Sequence, residues 1–213
     1  MYFRGVSDYE EMEDGKKEIN EPADWYATYD ASHYLKWTFE GYVELIRGKI
    51  FKMSPPGQWA MHQAAAGYLF GEMYDYFKER SCELFISPFA VFLTHDADKW
   101  RETQNVVQPD LCIVCNSEQI TRHGCIGAPA LVIEVLSPTT AKKDRTLKLD
   151  LYEEYGVDEY WMIDPKRMEV LVSRMGTAGM YEHVVVFEAG QFLSPRQFKD
   201  VVINTAELFS QQW

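Results

Sequence analysis

An α/β fold, a mixed β-sheet flanked by helices, is what this 213-residue sequence predicts. Three observations carry it. Short apolar runs recur, among them "PDLCIVC", "ALVIEVLS" and "EYWMID", each of strand length and rich in β-branched or aromatic residues. Helical periodicity occurs both before and between these runs. Strands and helices alternate without a strict βαβ rhythm, which favours a mixed sheet over a wholly parallel one.

In chain order, "YVELIRGKIFKM" reads as a hairpin, two alternating arms around Arg47-Gly48. "SPPG" then breaks the chain. Residues 58–80 form a helix with an apolar face through Ala66, Leu69, Met73 and Phe77, and His62 falls on that face one turn in. Strands are expected over 82–94, 109–115 and 130–137, separated by polar, glycine-containing loops at 95–108 and 116–129. A helix follows at about 141–155, then strands at 159–164 and around 167–174 and 181–187. "INTAELF" makes a short final helix.

Composition narrows the class. The chain is 46% hydrophobic and 15% aromatic, enough for a sizeable core. No run approaches eighteen uninterrupted apolar residues, so no membrane span is expected. The first twenty residues lack the apolar segment of a signal peptide, and four cysteines do not suggest a disulfide scaffold. The expectation is a soluble cytoplasmic protein. Net charge is −12, and the first thirty residues, three basic against nine acidic, hold half of it. The chain therefore divides into an acidic extension, 1–30, and one domain, 31–213. This charge counts against non-specific nucleic-acid binding, which positive charge drives.

Glu134 is the residue that demands explanation. It sits inside "ALVIEVLSP", a run apolar enough to be a buried strand, where an unpaired carboxylate costs several kcal/mol or stays protonated. Alternation puts Val132, Glu134 and Leu136 on one face, and Asp110, Cys112 and Val114 on one face of the strand before. If these strands are neighbours, the two carboxylates lie side by side. Such a pair is costly unless a cation sits between them, and oxygen ligation suits Mg²⁺, with Mn²⁺ as its substitute. In the helix after Glu134, Leu147, Leu151 and Tyr155 mark an apolar stripe at 100° per residue, and Lys148 and Asp144 fall inside it. Lys142 and Lys143 fall largely on the opposite side. An inward lysine needs an anion, and the carboxylate pair supplies one. Two carboxylates, a lysine and a divalent cation are the parts of a phosphodiester hydrolysis site.

Each of these residues also has a bland reading. Glu134 could be a structural acid paired to an arginine, Asp110 could open a strand, and Lys148 could reach past its stripe to solvent. Glu44 could be an ordinary exposed hairpin acid. His62 reads first as a packed or solvent-facing histidine, and Asp144 as a helix N-cap or first-turn acid. Cys112-x-x-Cys115 with His123 and Cys125 invites a zinc reading, but i and i+3 on a strand face opposite sides. No phosphate-binding glycine loop and no nucleophile elbow is present.

"YVELIRGKIFKMSPPGQWAMHQ", "QPDLCIV", "PALVIEVLSPTT" and "DRTLKLDLYEEYGVDEYWMIDP", in that order, resemble the Uma2 family of restriction-endonuclease-like proteins, within the PD-(D/E)XK nuclease superfamily. The likeness covers roughly residues 40–205. It implies a restriction-endonuclease-like fold and a metal-dependent nuclease site. Asp110 matches the PD motif and Glu134 the first acidic position of (D/E)XK. Leu136 stands where that motif has its lysine, and the family places a lysine in the following helix, matching Lys148. Glu44 matches a further acidic position, and His62 a histidine of the first long helix.

The function expected is that of a Mg²⁺-dependent endonuclease acting on DNA. Asp110, Glu134 and the Val135 carbonyl would hold the metal, Lys148 would position water or stabilise charge, and Glu44 would assist. A second copy of the chain is the other expected partner, since duplex cleavage often needs two sites. Two alternatives stay open: a nuclease-fold binding or regulatory module without strong activity, and a metal-dependent hydrolase of a small phosphate compound.

Overall fold

The computed structural model describes residues 27–37, 42–52 and 60–210. The expected acidic extension lies outside the described residues as far as residue 26. A short helix, α1 (Ala31–Tyr34), starts at Asp30, whose side chain accepts from the His33 N–H. The hairpin is β1 (Val43–Ile46) and β2 (Lys49–Lys52). Arg47 and Gly48 both have positive φ, 50° and 74°, as a two-residue hairpin turn of this hand requires. A Cβ at Gly48 would lie 2.2 Å from Thr28 Cγ2, so the turn needs glycine twice over. Helix α2 (Ala60–Phe77) buries Ala65, Ala66, Leu69, Met73 and Phe77, the stripe read from periodicity.

The strand expected over 82–94 is two strands in different sheets, β3 (Glu83–Ile86) and β4 (Val91–Phe92). Between them lies Pro88, which has no N–H for a ladder, following a cis Ser87–Pro88 bond. The two expected loops also carry structure. The first contains a 3₁₀ helix (Ala97–Glu102) and β5 (Val106–Val107), with β6 (Leu111–Val114) after it. The second contains β7 (Ile120–Thr121) and β8 (Gly124–Ile126). Then come β9 (Leu131–Val135), a helical crossover, β10 (Glu159–Asp164), β11 (Glu169–Arg174) and β12 (Val185–Glu188). The chain closes with β13 (Phe192–Leu193), β14 (Ile203–Asn204) and α5 (Thr205–Leu208).

Two six-stranded mixed sheets result, ordered β2-β1-β5-β4-β8-β7 and β12-β11-β10-β9-β6-β3. In the second, β9 and β10 run parallel, and parallel neighbours need a long crossover. Residues 141–154 supply it as α3 (Ala141–Lys143), one π-helical turn (Asp144–Lys148) and α4 (Leu149–Glu154). One face of this sheet, with Leu111, Ile113, Ile133, Val135 and Trp161, packs on α2. The other, with Cys112, Val114, Val132, Leu136 and Met162, packs on Leu151 and Tyr152 of α4 and on Ile46, Val91 and Val107 of the first sheet. Glu134 points into this second, largely apolar layer, where Lys148 and Tyr152 meet it. Truncating Leu69 to Ala beneath the opposite face would cost about 2–5 kcal/mol.

Cys82 and Cys115, flanking β3 and β6, form a disulfide that composition did not suggest. Cys112 and Cys125 are buried free thiols, and burial pushes both up, Cys125 to about 12. Cys112 and Cys115 thus sit in different layers, and the zinc reading has no geometry behind it. Among the described residues no helix is long and apolar enough to cross a membrane.

Candidate active site

Strand register brings the two carboxylates together. β6 and β9 pair antiparallel with Leu111 opposite Ile133, and one step further sets Asp110 opposite Glu134. Asp110 Oδ2 accepts the Val135 N–H at 2.7 Å, tying the two strand ends. The same oxygen lies 3.1 Å from His62 Nε2 on α2. The first sheet contributes Glu44 from β1, wholly buried.

Lys148, 2% exposed, joins them. Its Nζ lies 2.6 Å from Glu134 Oε1, 2.7 Å from Glu44 Oε1 and 3.8 Å from Asp144 Oδ1. The Tyr152 hydroxyl donates to Glu134 Oε1 at 2.8 Å. Glu44 Oε1 also accepts the Gln108 N–H at 3.1 Å, while Lys143 Nζ holds Oε2 at 2.5 Å. Gln108 is anchored in turn by its own amide, which donates to the Tyr34 hydroxyl at 2.8 Å.

The charges do not balance. Asp110, Glu44, Glu134 and Asp144 face Lys143, Lys148 and His62. Burial would raise Glu44, but Lys148 and Lys143 outweigh it and hold Glu44 below the usual carboxylate range. Glu134 is the reverse: burial, abetted by Asp144, Asp110 and Glu44, defeats Lys148 and pushes it up to about 8. Burial also raises Asp144, whose Oδ1 is buried with no hydrogen-bond partner. Lys148 itself stays ammonium, because Glu134, Glu44 and Asp144 more than offset its burial. Burial raises Tyr152 well above an ordinary phenol, so it remains a donor. Burial would lower His62, but its hydrogen bond to Asp110 together with the charges of Asp110 and Asp144 outweighs that and raises it.

Asp110, Glu134, Lys148, Glu44 and His62 therefore share one connected cluster. Asp144 is not an N-cap but stands in the first turn on the inward face, both of which the sequence allowed, and lies 2% exposed within the cluster. Two other positions differ from the sequence expectation. Lys143 turns inward to Glu44, and Leu147, expected on the apolar stripe, is 38% exposed. The π turn explains both, since its wider winding departs from 100° per residue. The resulting inward set is Asp144, Lys148, Leu151 and Tyr152. Gln108, Lys143 and Tyr152 were missed in the sequence. Tyr152 could have been found, four residues after Lys148 on the same face; Gln108 acts partly through its backbone, which no side-chain pattern reveals.

Among the described residues no group of three or more His, Cys, Asp or Glu side chains is arranged to hold a metal ion. A cation at this place would thus draw on the two carboxylates of Asp110 and Glu134 and on the Val135 carbonyl. The donors are hard oxygens, as Mg²⁺ and Mn²⁺ require, and Asp144 Oδ1 is buried in the same cluster without a hydrogen-bond partner. In these respects the residues fit the cation.

Comparison with known proteins agrees with this architecture. The family model Uma2, described as "Putative restriction endonuclease", matches residues 31–206. A crystal structure from Anabaena variabilis, described as a putative nuclease belonging to DUF820, is similar with a TM-score of 0.68. It is 22% identical, with 85% of this chain and 97% of that chain covered, a likeness that speaks for the fold. No curated protein matches the chain. With the family model spanning most of the sequence, the chain belongs to the Uma2 family, described as putative restriction endonucleases.

Proposed function

We propose that this protein is a Mg²⁺-dependent endonuclease that hydrolyses phosphodiester bonds of DNA. One observation carries the reading: Asp110 and Glu134 stand opposite each other on paired strands with the Lys148 ammonium aimed at Glu134. Membership of a family described as putative restriction endonucleases supports it. The metal, held by Asp110, Glu134 and the Val135 carbonyl, would supply Lewis acidity and an activated water. The chain's own residues do the remaining work. His62 and the Val135 N–H fix Asp110 Oδ2. Glu44 fixes Lys148 through Oε1 and is itself held by Lys143 and the Gln108 N–H. Lys148 then presents a fixed positive charge where negative charge develops on the phosphate or where water must be oriented. The apolar layer around Glu134 excludes bulk water and strengthens these interactions.

The homodimer belongs to this reading, because cutting both strands of a duplex takes two sites. β12 lies at an edge of its sheet, and Val185 and Val186 in it, with Val184 just before it, are more than 40% exposed, which supports contact with a second copy.

A second reading has its own observation. Lys148 already bonds both Glu44 and Glu134, a contact that would tie the two sheets together as a structural knot without any catalysis. A nuclease-fold binding module would look the same at rest. Nicking of supercoiled plasmid in Mg²⁺ or Mn²⁺ decides between them. Cleavage by wild type, abolished in both Glu134→Gln and Asp110→Asn, is the expected result. Cleavage that persists in Glu134→Gln would refute the assignment, and no cleavage by folded wild-type protein would favour the module.

A further inference from the structure

The protein is acidic, yet its positive charge is not spread evenly. "AKKDRTLK" (141–148) holds four cations and one acid. Lys143 and Lys148 turn inward to the site, and Asp144 is buried beside them. The residues left facing outward are Lys142, which is exposed, and Arg145, with its side chain 27% exposed. Arg145 bonds Asp164 at the end of β10, and its Nη2 lies 3.9 Å from Glu169.

Asp164 brings a second group of cations to the same place. Its Oδ1 accepts the N–H groups of both Lys166 and Arg167 at 3.0 Å, which clamps the β10–β11 turn beside Arg145. Lys166 is exposed and Arg167 has its side chain 64% exposed. Asp164 itself is buried, with Oδ2 engaged by Arg145. Glu169, 21% exposed, lies between Arg145 and Arg167. Lys142 and Lys166 pair with no acid among the described residues. What this ridge shows to solvent is therefore mainly positive: four cations against the largely covered Asp164 and Glu169, with the exposed Glu188 opposite Glu169 on β12.

The ridge adjoins the cluster. Asp144 separates Lys143 from Arg145 in sequence and lies within the cluster. The segment that leads from Glu134 to the ridge carries hydroxyls, with Ser137 Oγ 3.1 Å from Thr140 Oγ1. Exposed lysine and arginine beside hydroxyl groups are the chemistry that holds phosphate oxygens without reading bases. We propose that Lys142, Arg145, Lys166 and Arg167 bind the phosphate backbone of a nucleic acid and lay it alongside Glu134. The inference rests on the nuclease reading and adds to it where the substrate lies. It also removes the objection raised by the net charge, because a local field, not the total, attracts a polyanion at close range.

The test is binding of a fluorescent duplex oligonucleotide to the full chain in EDTA, followed by anisotropy as salt is raised. The test variant is Lys142→Gln/Lys166→Gln/Arg167→Gln. The control is Lys78→Gln/Arg80→Gln/Lys199→Gln, which removes the same charge around the far end of α2. The ridge variant should bind on the order of a hundredfold more weakly at 0.1 M salt and flatten the slope of log K against log salt by about 2.7, while the control matches wild type. Wild-type binding with both variants unaffected, or equally weakened, overturns the ridge and leaves the nuclease reading standing. No DNA binding by wild type even at low salt overturns both.

Discussion

Removing the Lys148 ammonium tests the site most directly. In Lys148→Met the side chain keeps nearly its length and loses its charge. Glu44 Oε1 and Glu134 Oε1 lose a partner at 2.7 and 2.6 Å, and Asp144 Oδ1 loses its nearest cation at 3.8 Å. Of these three buried acids only Glu44 then keeps a cation, Lys143, within bonding distance. Breaking a buried ion pair by deleting one partner costs about 3–5 kcal/mol, because the surviving charge stays out of water. For a domain of this size each kcal/mol moves Tm by about 2–4 °C, so the expected fall lies between about 6 and 20 °C. The loss should depend on pH with a definite sign. Without their lysine, Glu44 and Glu134 have folded pKa values raised above the unfolded ones. The penalty is then absent below the ordinary carboxylate pKa, 4.5, and grows as pH rises above it. Adding Glu44→Gln and Glu134→Gln to Lys148→Met should recover much of the loss, since neutral amides no longer need a cation. Urea unfolding at two pH values measures all of this. A loss under about 1 kcal/mol, the range of an exposed pair, or a loss indifferent to pH would refute the claim that Lys148 neutralises the cluster.

Other expectations follow from the same geometry. Mn²⁺ titrated calorimetrically should bind wild type and not Glu134→Gln, and its affinity should rise with pH up to about 8, because the metal must displace the proton that burial keeps on Glu134. An affinity indifferent to pH between 6 and 8 would count against Glu134 as a ligand. His62, raised by Asp110, contributes stability that is present below the ordinary histidine pKa of 6.5 and fades as pH rises through its folded value. His62→Gln should therefore cost more at pH 6 than at pH 9 in thermal melts. Gly48→Ala should destabilise by more than 1 kcal/mol, since it adds a Cβ 2.2 Å from Thr28 Cγ2 at a φ of +74°; an unchanged midpoint in urea would contradict the turn geometry.

Much of this was legible in the sequence because it depends on short-range rules. Alternation alone placed Asp110 and Glu134 on inward faces, and β6–β9 pairing did the rest. Arg47-Gly48 announced its turn, and the α2 stripe announced its buried face. The failures have physical causes. The two-residue strands β4, β5 and β7 are too short to show a period; pairing with distant partners defines β4 and β5, and a tight turn to β8 defines β7. Lys143 was misplaced because a wheel of 100° per residue does not apply through a π turn. Glu44 was ambiguous because an alternating hairpin cannot say whether another layer covers it; here one does, and all four residues of β1 are buried.

The lysine shows why motif spelling and chemistry can part company. On a strand, the residue two places after Glu134 shares its face, so a lysine at position 136 would lie alongside the carboxylate. Leu136 instead fills the apolar layer between the sheets, 2% exposed. Lys148 reaches the same carboxylate from the crossover helix, fourteen residues later, at 2.6 Å. What the chemistry requires is an ammonium within bonding distance of a strand-borne carboxylate, and either backbone can deliver it. The helical route adds something the strand does not. From the helix, Lys148 also reaches Glu44 on the other sheet, so one side chain joins both layers at the point where the acids meet. The cation that would serve the reaction is also the one that holds the two sheets in register around it, and for that reason stability and activity should fall together when it is removed.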